Sequence, residues 1–374
     1  MTASEDHPKA RYVMVGGFLG AGKTTSILRF AEWLTARGLR VGLITNDQGG
    51  GLVDTALARS RRMPVEEIVG GCFCCRFTSL VEAAESLVRD VAPDVLLAEP
   101  VGSCTDLVAT VTLPLEQIYG DRFTVAPLSV VVDPIRAARV LDPEGPGGLS
   151  ENVRFIYRKQ LEEAEIVVVN KIDLVDASAR DRLRKAIAAA APRAEILECS
   201  ARAGTGLEPW FDRMLDGVSR AAAIGEIDYD RYALGESLLG WLNAEVRIGA
   251  ADAEEFDGNA MLLGIMSRVR EALERSGHEI AHLKGTLSVE GDPHELAAAN
   301  LVRTASRPEL SHRLAEPVDI GRLLLNLRAE ADPDLLEQAV RHAVEAASRP
   351  CEMLHVEHFR PGRPVPTHRL AARA

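Results

Sequence analysis

At 374 residues the chain is long for a single hydrophobic core, which points to two domains. Its formal net charge of −12 argues against a nucleic-acid partner, which would call for a basic face, and no apolar run reaches the ~18 residues of a membrane span. The polar, acidic start, Met1 to His7, is unlike a signal peptide, and six unevenly spread cysteines do not make a disulfide framework, so a reducing cytoplasm is the expected setting.

Taken in chain order, Tyr12-Val13-Met14-Val15 predicts a strand and Thr25 to Ala36 a helix. Between them Gly17-Phe18-Leu19-Gly20-Ala21-Gly22-Lys23-Thr24 sets two glycines, Gly17 and Gly22, with four residues between them ahead of Lys-Thr. Gly17, Gly20 and Gly22 let the backbone N–H groups through Ala21 and Thr25 turn onto phosphate oxygens, and the helix N-terminus adds its positive end. Lys23 then reaches the outer phosphates and Thr24 ligates Mg²⁺. The alternative is a plain glycine-rich turn. The flanking strand and helix, placed where phosphate binding needs them, favour a nucleoside triphosphate site.

Further strand-like runs at 41–45, 93–98, 128–132, 166–170 and 194–199 alternate with amphipathic helical stretches. Continuously apolar strands separated by helices predict an α/β fold with a mostly parallel sheet covered on both faces. Strand ends in such a sheet converge on the ligand crevice, and two of them carry acids, Asp47 and Glu99. Asp47 is the expected Mg²⁺ partner beside Thr24. Glu99 is expected to orient the attacking water, with Gly102 offering a backbone N–H. Solvated loop acids are the alternative for both. Gly49-Gly50-Gly51 is suited to a nucleotide-dependent switch.

Gly70-Gly71-Cys72-Phe73-Cys74-Cys75 places three thiols on a glycine-led loop. Cys72, Cys74 and Cys75 can turn onto one soft ion, Zn²⁺ or Cu⁺ before Mg²⁺, with Co²⁺ or Ni²⁺ also open. Small buried packing residues and a structural zinc clip are the competing readings, and Cys104 is a further candidate ligand. Pro143 to Gly148 reads as a surface loop.

Asn170-Lys171-Ile172-Asp173 closes a buried strand. Asp173 there accepts from the N1–H and 2-amino group of guanine, which adenine lacks, so GTP is favoured over ATP. Backbone N–H groups of Ser200 and Ala201, after the next strand, are expected to meet the guanine O6. The rhythm breaks near Ala223 to Leu234. Expected boundaries are a phosphate-loop domain over 1–222, a linker over 223–236, a small α+β domain over 237–360 and a loose tail over 361–374. In the second unit Trp241–Ile248, His282–Val289, Gly321–Leu327 and Met353–Phe359 read as strands, Asn259–Arg275 and Pro333–Ala347 as helices. An extra extended segment lies near 298–304. His355 and His358 sit three apart on a strand, hence on opposite faces, and read as unrelated surface residues.

With these motifs in hand (Gly16 to Thr25, Gly71 to Cys75, Glu99-Pro-Val-Gly102 and Asn170 to Asp173), the chain resembles the CobW-type metal-chaperone GTPases, relatives of the urease and hydrogenase nickel-insertion GTPases. The resemblance covers the first ~220 residues in the expected order. It implies binding of GTP with Mg²⁺ and slow, client-stimulated hydrolysis. It also implies Zn²⁺ or another divalent ion at the cysteine motif, delivery to a client metalloprotein, and dimerisation across the nucleotide. Where many members read Asn-Glu-Phe-Gly-Glu, this chain has Asn46-Asp47-Gln48-Gly49-Gly50, and the histidine-rich insert common between the domains is absent. Phe18 and Leu19 set the loop apart from related ATPases with a lysine there. The leading expectation is a GTP-driven metallochaperone. The alternative is an assembly or reactivation factor for a cofactor enzyme, such as a corrinoid-dependent one, with structural cysteines. A third option is a metal-responsive regulator.

Overall fold

The computed structural model describes residues 9–50, 52–142, 148–220, 226–249 and 254–371. Gly51 of the glycine run, 143–147 of the expected surface loop, 223–225 of the expected linker and the last three residues lie outside the described residues.

The first unit alternates strands and helices: β1 (Ala10–Gly16), α1 (Lys23–Thr35), β2 (Val41–Asn46), α2 (Val53–Ser60), β3 (Val65–Ile68), α3 (Phe77–Val91), β4 (Val95–Glu99), α4 (Leu113–Ile118), β5 (Phe123–Val125), β6 (Ser129–Val132), α5 (Pro134–Leu141), α6 (Glu151–Glu163), β7 (Ile166–Val169), α7 (Ala177–Ala190), β8 (Glu195–Glu198) and α8 (Glu208–Asp216). The sheet order is β3-β2-β4-β1-β6-β7-β8, with β5 also on β1, and every pair is parallel. Alternate residues of β1 serve opposite faces. Tyr12 and Met14 pack with Leu96, Phe77 and Tyr157, while Val13 and Val15 pack with Phe30, Trp210 and Phe211. Burial on both faces explains why these strands are continuously apolar. The two strands the pattern misses are β3, whose Glu66 and Glu67 are only half-buried, and the three-residue β5.

After α9 (Tyr229–Ser237) the chain forms β9 (Gly240–Ile248), α10 (Gly258–Arg275), β10 (Ile280–Val289), β11 (Asp292–Leu301), β12 (Glu309–His312), β13 (Gly321–Ala329), α11 (Pro333–Glu345) and β14 (Cys351–Phe359). These strands make an antiparallel sheet in the order β12-β11-β10-β13-β9-β14. The expected extended segment is the end of β11; the short, exposed β12 carries no apolar signal. Leu283, Leu287, Leu323, Leu325 and Leu327 pack with Met266, Val269, Leu336 and Val340 of α10 and α11. The opposite face is polar, and it meets the first unit rather than water: Asn243, His282, Thr286, Asn326 and Arg328 are all buried. No helix among the described residues is long and apolar enough to cross a membrane.

Candidate functional site

The chain leaves β1 to build β2 through β4 on one side and returns to build β6 through β8 on the other, so the turn after β1 is a switch point of the sheet. α1 begins at Lys23 behind Gly22, whose φ is +98°, and no side chain caps it, which leaves first-turn N–H groups for an anion. A Cβ on Gly17 would lie 2.2 Å from the Val131 carbonyl oxygen, and one on Gly22 would lie 2.4 Å from Asn170 Nδ2. The loop therefore needs glycine for space as well as for φ. A cavity of 560 Å³ lined by Pro127, Glu165, Arg193 and Arg213 lies near the opposite ends of the strands and is remote from this chemistry.

Around Thr24 a compact charged cluster forms. Thr24 Oγ1 lies 2.7 Å from Asp54 Oδ1 and 3.0 Å from Glu99 Oε1, and buried Lys23 Nζ is 3.8 Å from Glu99. From β10, Lys284 Nζ donates to both Asp54 oxygens at 2.7 Å and to Thr24 Oγ1 at 3.2 Å. Burial, and next the Asp54 charge, push the Glu99 carboxyl up to about 7. Burial acts the same way on Asp54, but Lys284, Thr24 and Lys23 outweigh it and hold that carboxyl below its ordinary value. Lys23 is pushed down by burial.

On the base side, Asn170 Nδ2 donates to the Ala21 carbonyl (3.0 Å), and Lys171 Nζ donates to the Gly20 carbonyl (2.7 Å) and to Asp133 (2.9 Å). These bonds lock the Asn-Lys-x-Asp turn to the phosphate loop, and Asp173 is left exposed at its edge. The N–H groups of Ser200 and Ala201, expected on a guanine O6, are spent within the protein. Ala201 donates to Asn170 Oδ1 (2.9 Å) and Ser200 to the Thr205 carbonyl (2.9 Å), because this turn braces Asn170.

The cysteine loop follows β3. Cys72 Sγ lies 2.7 Å from Cys74 Sγ and 3.3 Å from Cys75 Sγ, and the Cys74–Cys75 separation is 3.7 Å. Zn–S bonds of ~2.3 Å in a tetrahedron hold sulfurs ~3.8 Å apart, so small rotations fit these three to one ion. Cys104 hydrogen-bonds to Cys72, and together with Cys74 and Cys75 it pulls the Cys72 thiol well below its ordinary value. Cys104 itself is pushed well up by burial. Beside them, from α9, stands Glu236, 1% exposed, with Oε1 unpartnered, pushed up to about 8 by burial and then by Cys72. Asn46, the last residue of β2, clamps the loop. Its Nδ2 donates to the carbonyls of Ile68 (3.0 Å) and Gly71 (2.8 Å), and its Oδ1 accepts from the Phe73 N–H (3.0 Å).

A sequence profile for the CobW/HypB/UreG nucleotide-binding domain matches residues 11–198, half of the chain. The chain belongs to the CobW/HypB/UreG family. It is 26% identical over 326 residues to the zinc chaperone CobW of Sinorhizobium sp, a match covering 79% of this chain and 86% of that protein. It is 31% identical over 176 residues to the zinc chaperone YeiR of Escherichia coli (strain K12), covering 46% of this chain and 49% of that protein. To the urease accessory protein UreG of Mycolicibacterium gilvum (strain PYR-GCK) the identity is 29% over 218 residues, covering 54% and 93%. Among solved structures, the Zn(II)-bound YjiA GTPase from E. coli aligns at a TM-score of 0.40 and 14% identity over 90% of this chain and 99% of that chain.

In this CobW/HypB/UreG-family chain, Lys23, Thr24 and Glu99 come together at the phosphate loop, but Asp47 does not reach Thr24. Its carboxylate pairs with Arg328 of β13 at 2.8 Å, and Arg328 is fully buried. Asp54, in the first turn of α2, takes the place beside Thr24. The shift follows from geometry: Asp47 leaves β2 toward the second sheet, while α2 turns back over the loop. Gly102 packs against Leu19, whose backbone N a Cβ there would meet at 3.0 Å. His355 is exposed, and His358 pairs with Glu337 of α11 at 3.1 Å, so neither joins the cysteines. The segment expected to be a loose tail instead lies on the cysteine loop. Val365 N–H donates to Cys75 Sγ (3.2 Å) and Thr367 N–H to the Cys74 carbonyl (2.8 Å). The residues that sequence reasoning missed are Asp54, Lys284 and Glu236. Only the alternation His282-Leu283-Lys284 hinted at a polar strand face, and such a face ordinarily meets water.

Proposed function

We propose that the chain is a GTP-hydrolysing metallochaperone that holds Zn²⁺ or another divalent transition metal on Cys72, Cys74 and Cys75 and passes it to a client metalloprotein. The observation that carries this reading is the Asn46 clamp. The residue ending the strand that leads into the glycine-rich segment also holds the cysteine loop through three hydrogen bonds. A change at the nucleotide end of β2 is thus felt at the thiols. The relatives named as zinc chaperones support zinc as the cargo.

In this reading the phosphate-loop N–H groups and Lys23 bind the triphosphate, and Asp173 selects guanine. Thr24 and Asp54 would hold Mg²⁺, which would supply charge neutralisation at the phosphates. Glu99, with its carboxyl pushed up to about 7, orients the attacking water and can take its proton near neutral pH. Arg328 keeps Asp47 out of this set, which gives Asp47 the role of joining the switch segment to the second domain.

A second reading has an observation of its own. Cys72 and Cys74 are buried, and Cys104 adjoins Cys72 to seal that side, an enclosed three-thiol set suited to a permanent structural ion in an assembly factor. Calorimetric binding of Zn²⁺ and Co²⁺ to the reduced protein, alone, with GDP·Mg and with a non-hydrolysable GTP analogue, separates the two. Nucleotide-dependent affinity that is lost in Cys72→Ala/Cys74→Ala/Cys75→Ala supports metal transfer. Affinity indifferent to nucleotide refutes the coupling and favours the structural ion.

A further inference from the structure

We propose that Lys284 is a phosphate ligand supplied to the nucleotide site by the second domain of the same chain, exchanging the Asp54 carboxylate for the γ-phosphate of GTP. The inference rests on the reading of the phosphate loop as a GTP site.

The second sheet presents a row of polar residues directly opposite one another across five strands: Asn300, Lys284, Asn326, Asn243 and Glu357. Three of them grip the segment that follows β2. Asn326 Oδ1 accepts from the Val53 N–H (2.9 Å), and Asn326 Nδ2 donates to Asn243 (3.0 Å). Asn243 Nδ2 in turn donates to Glu357 (2.8 Å), which accepts from the Gly50 N–H (2.9 Å). The row fixes β10 over the mouth of the phosphate loop. Lys284 points from its centre into the cluster, and its side chain is only 14% exposed. A guanidinium clasp holds the same edge: Arg136 donates to the carbonyls of Ala281 (2.8 Å) and Val302.

The ammonium rests on Thr24 and Asp54, the hydroxyl and carboxylate assigned to Mg²⁺, so it stands where a cation belongs. Two acids, Asp54 and Glu99, face two lysines, Lys23 and Lys284, and the cluster is close to neutral. A triphosphate with its Mg²⁺ adds net negative charge there, and Mg²⁺ competes for Asp54. Lys284 is the cation that Mg²⁺ displaces from Asp54, and so the one left to follow onto the phosphate. A diphosphate offers no γ-oxygen, so Lys284 gains no phosphate partner there. Lys284 thereby reports the γ-phosphate to the second domain.

His282 is an independent observation at the same place. It lies two residues before Lys284, hence on the same face of β10, and is 7% exposed with neither ring nitrogen hydrogen-bonded. A buried imidazole without a partner is costly, and a phosphate oxygen arriving beside Lys284 supplies one.

The test is calorimetric binding of GDP and of a non-hydrolysable GTP analogue, both with Mg²⁺, to the wild type, Lys284→Met and Lys284→Arg. Loss of one buried charge-assisted hydrogen bond predicts about 10- to 100-fold weaker analogue binding for Lys284→Met, with GDP changed by less than about 3-fold. Lys284→Arg restores the preference for the analogue. Lys284→Gln, whose amide still donates to Asp54, shows the same selective loss and replaces Lys284→Met if that variant does not fold. Equal losses for both nucleotides, or tighter binding of both, overturn the proposal, since Lys284 is then a structural pin or a plug. A wild type that binds neither nucleotide overturns the GTP reading itself and is distinguishable from either result.

Discussion

Replacing Asn46 with alanine tests whether the end of β2 controls the cysteine loop. The side chain is 8% exposed and makes three hydrogen bonds of 2.8–3.0 Å to Ile68, Gly71 and Phe73. At about 1 kcal/mol net each, their removal costs about 3 kcal/mol, and the orphaned Phe73 N–H in a buried setting adds about 1 kcal/mol more. The loop carries the loss locally, so its opening becomes about 100- to 1,000-fold more frequent. The assay is the rate of thiol labelling at Cys72 and Cys74 in the metal-free protein, with hydrogen exchange at the Phe73 amide. Urea denaturation alongside separates loop opening from global unfolding. Labelling and exchange should both rise by at least about 100-fold at low urea. Zinc affinity in the variant should lose its dependence on nucleotide. A change in labelling below about 3-fold would show that the loop is held by Cys104 and the tail segment instead, and would refute the coupling through β2.

Asp47→Asn and Asp54→Asn should part company. The first removes the counter-charge from fully buried Arg328 and should lower stability to urea by about 2–3 kcal/mol with little effect on nucleotide affinity. The second should weaken Mg²⁺-dependent GTP binding by about 10-fold with a smaller effect on stability, as a Mg²⁺ titration would show. Asp173→Ala should reduce GTP affinity by about 100-fold and leave weak ATP binding unchanged, measured by competition with a fluorescent nucleotide. For pH, the folded chain holds the Glu236 proton more tightly than the unfolded chain, its carboxyl standing at about 8. That stabilisation is complete below the ordinary glutamate value and is lost as pH rises through about 8. The urea midpoint of the metal-free protein should therefore fall between pH 5 and pH 8, and Glu236→Gln should flatten that fall; an unchanged slope would be contrary to the burial argument.

Local physics made much of this protein legible in its sequence. Gly17 to Thr24 is legible because a phosphate cradle requires glycines at set positions ahead of a helix, and Cys72 to Cys75 because three thiols within four residues need no folding to meet. The parallel strands announce themselves through continuous apolar runs, since both faces are covered. What lies across the domain boundary was decided only by the tertiary structure. Asp47 and Asp54 are equally acidic in the sequence; the exit of β2 carries one to Arg328 and the return of α2 carries the other to Thr24. Lys284 reads as a solvated residue on a two-faced strand, and it becomes part of the phosphate site only because Asn326, Asn243 and Glu357 dock that sheet on Gly50 and Val53. The partners of a polar side chain more than 200 residues away depend on how two sheets pack, and no local periodicity encodes that.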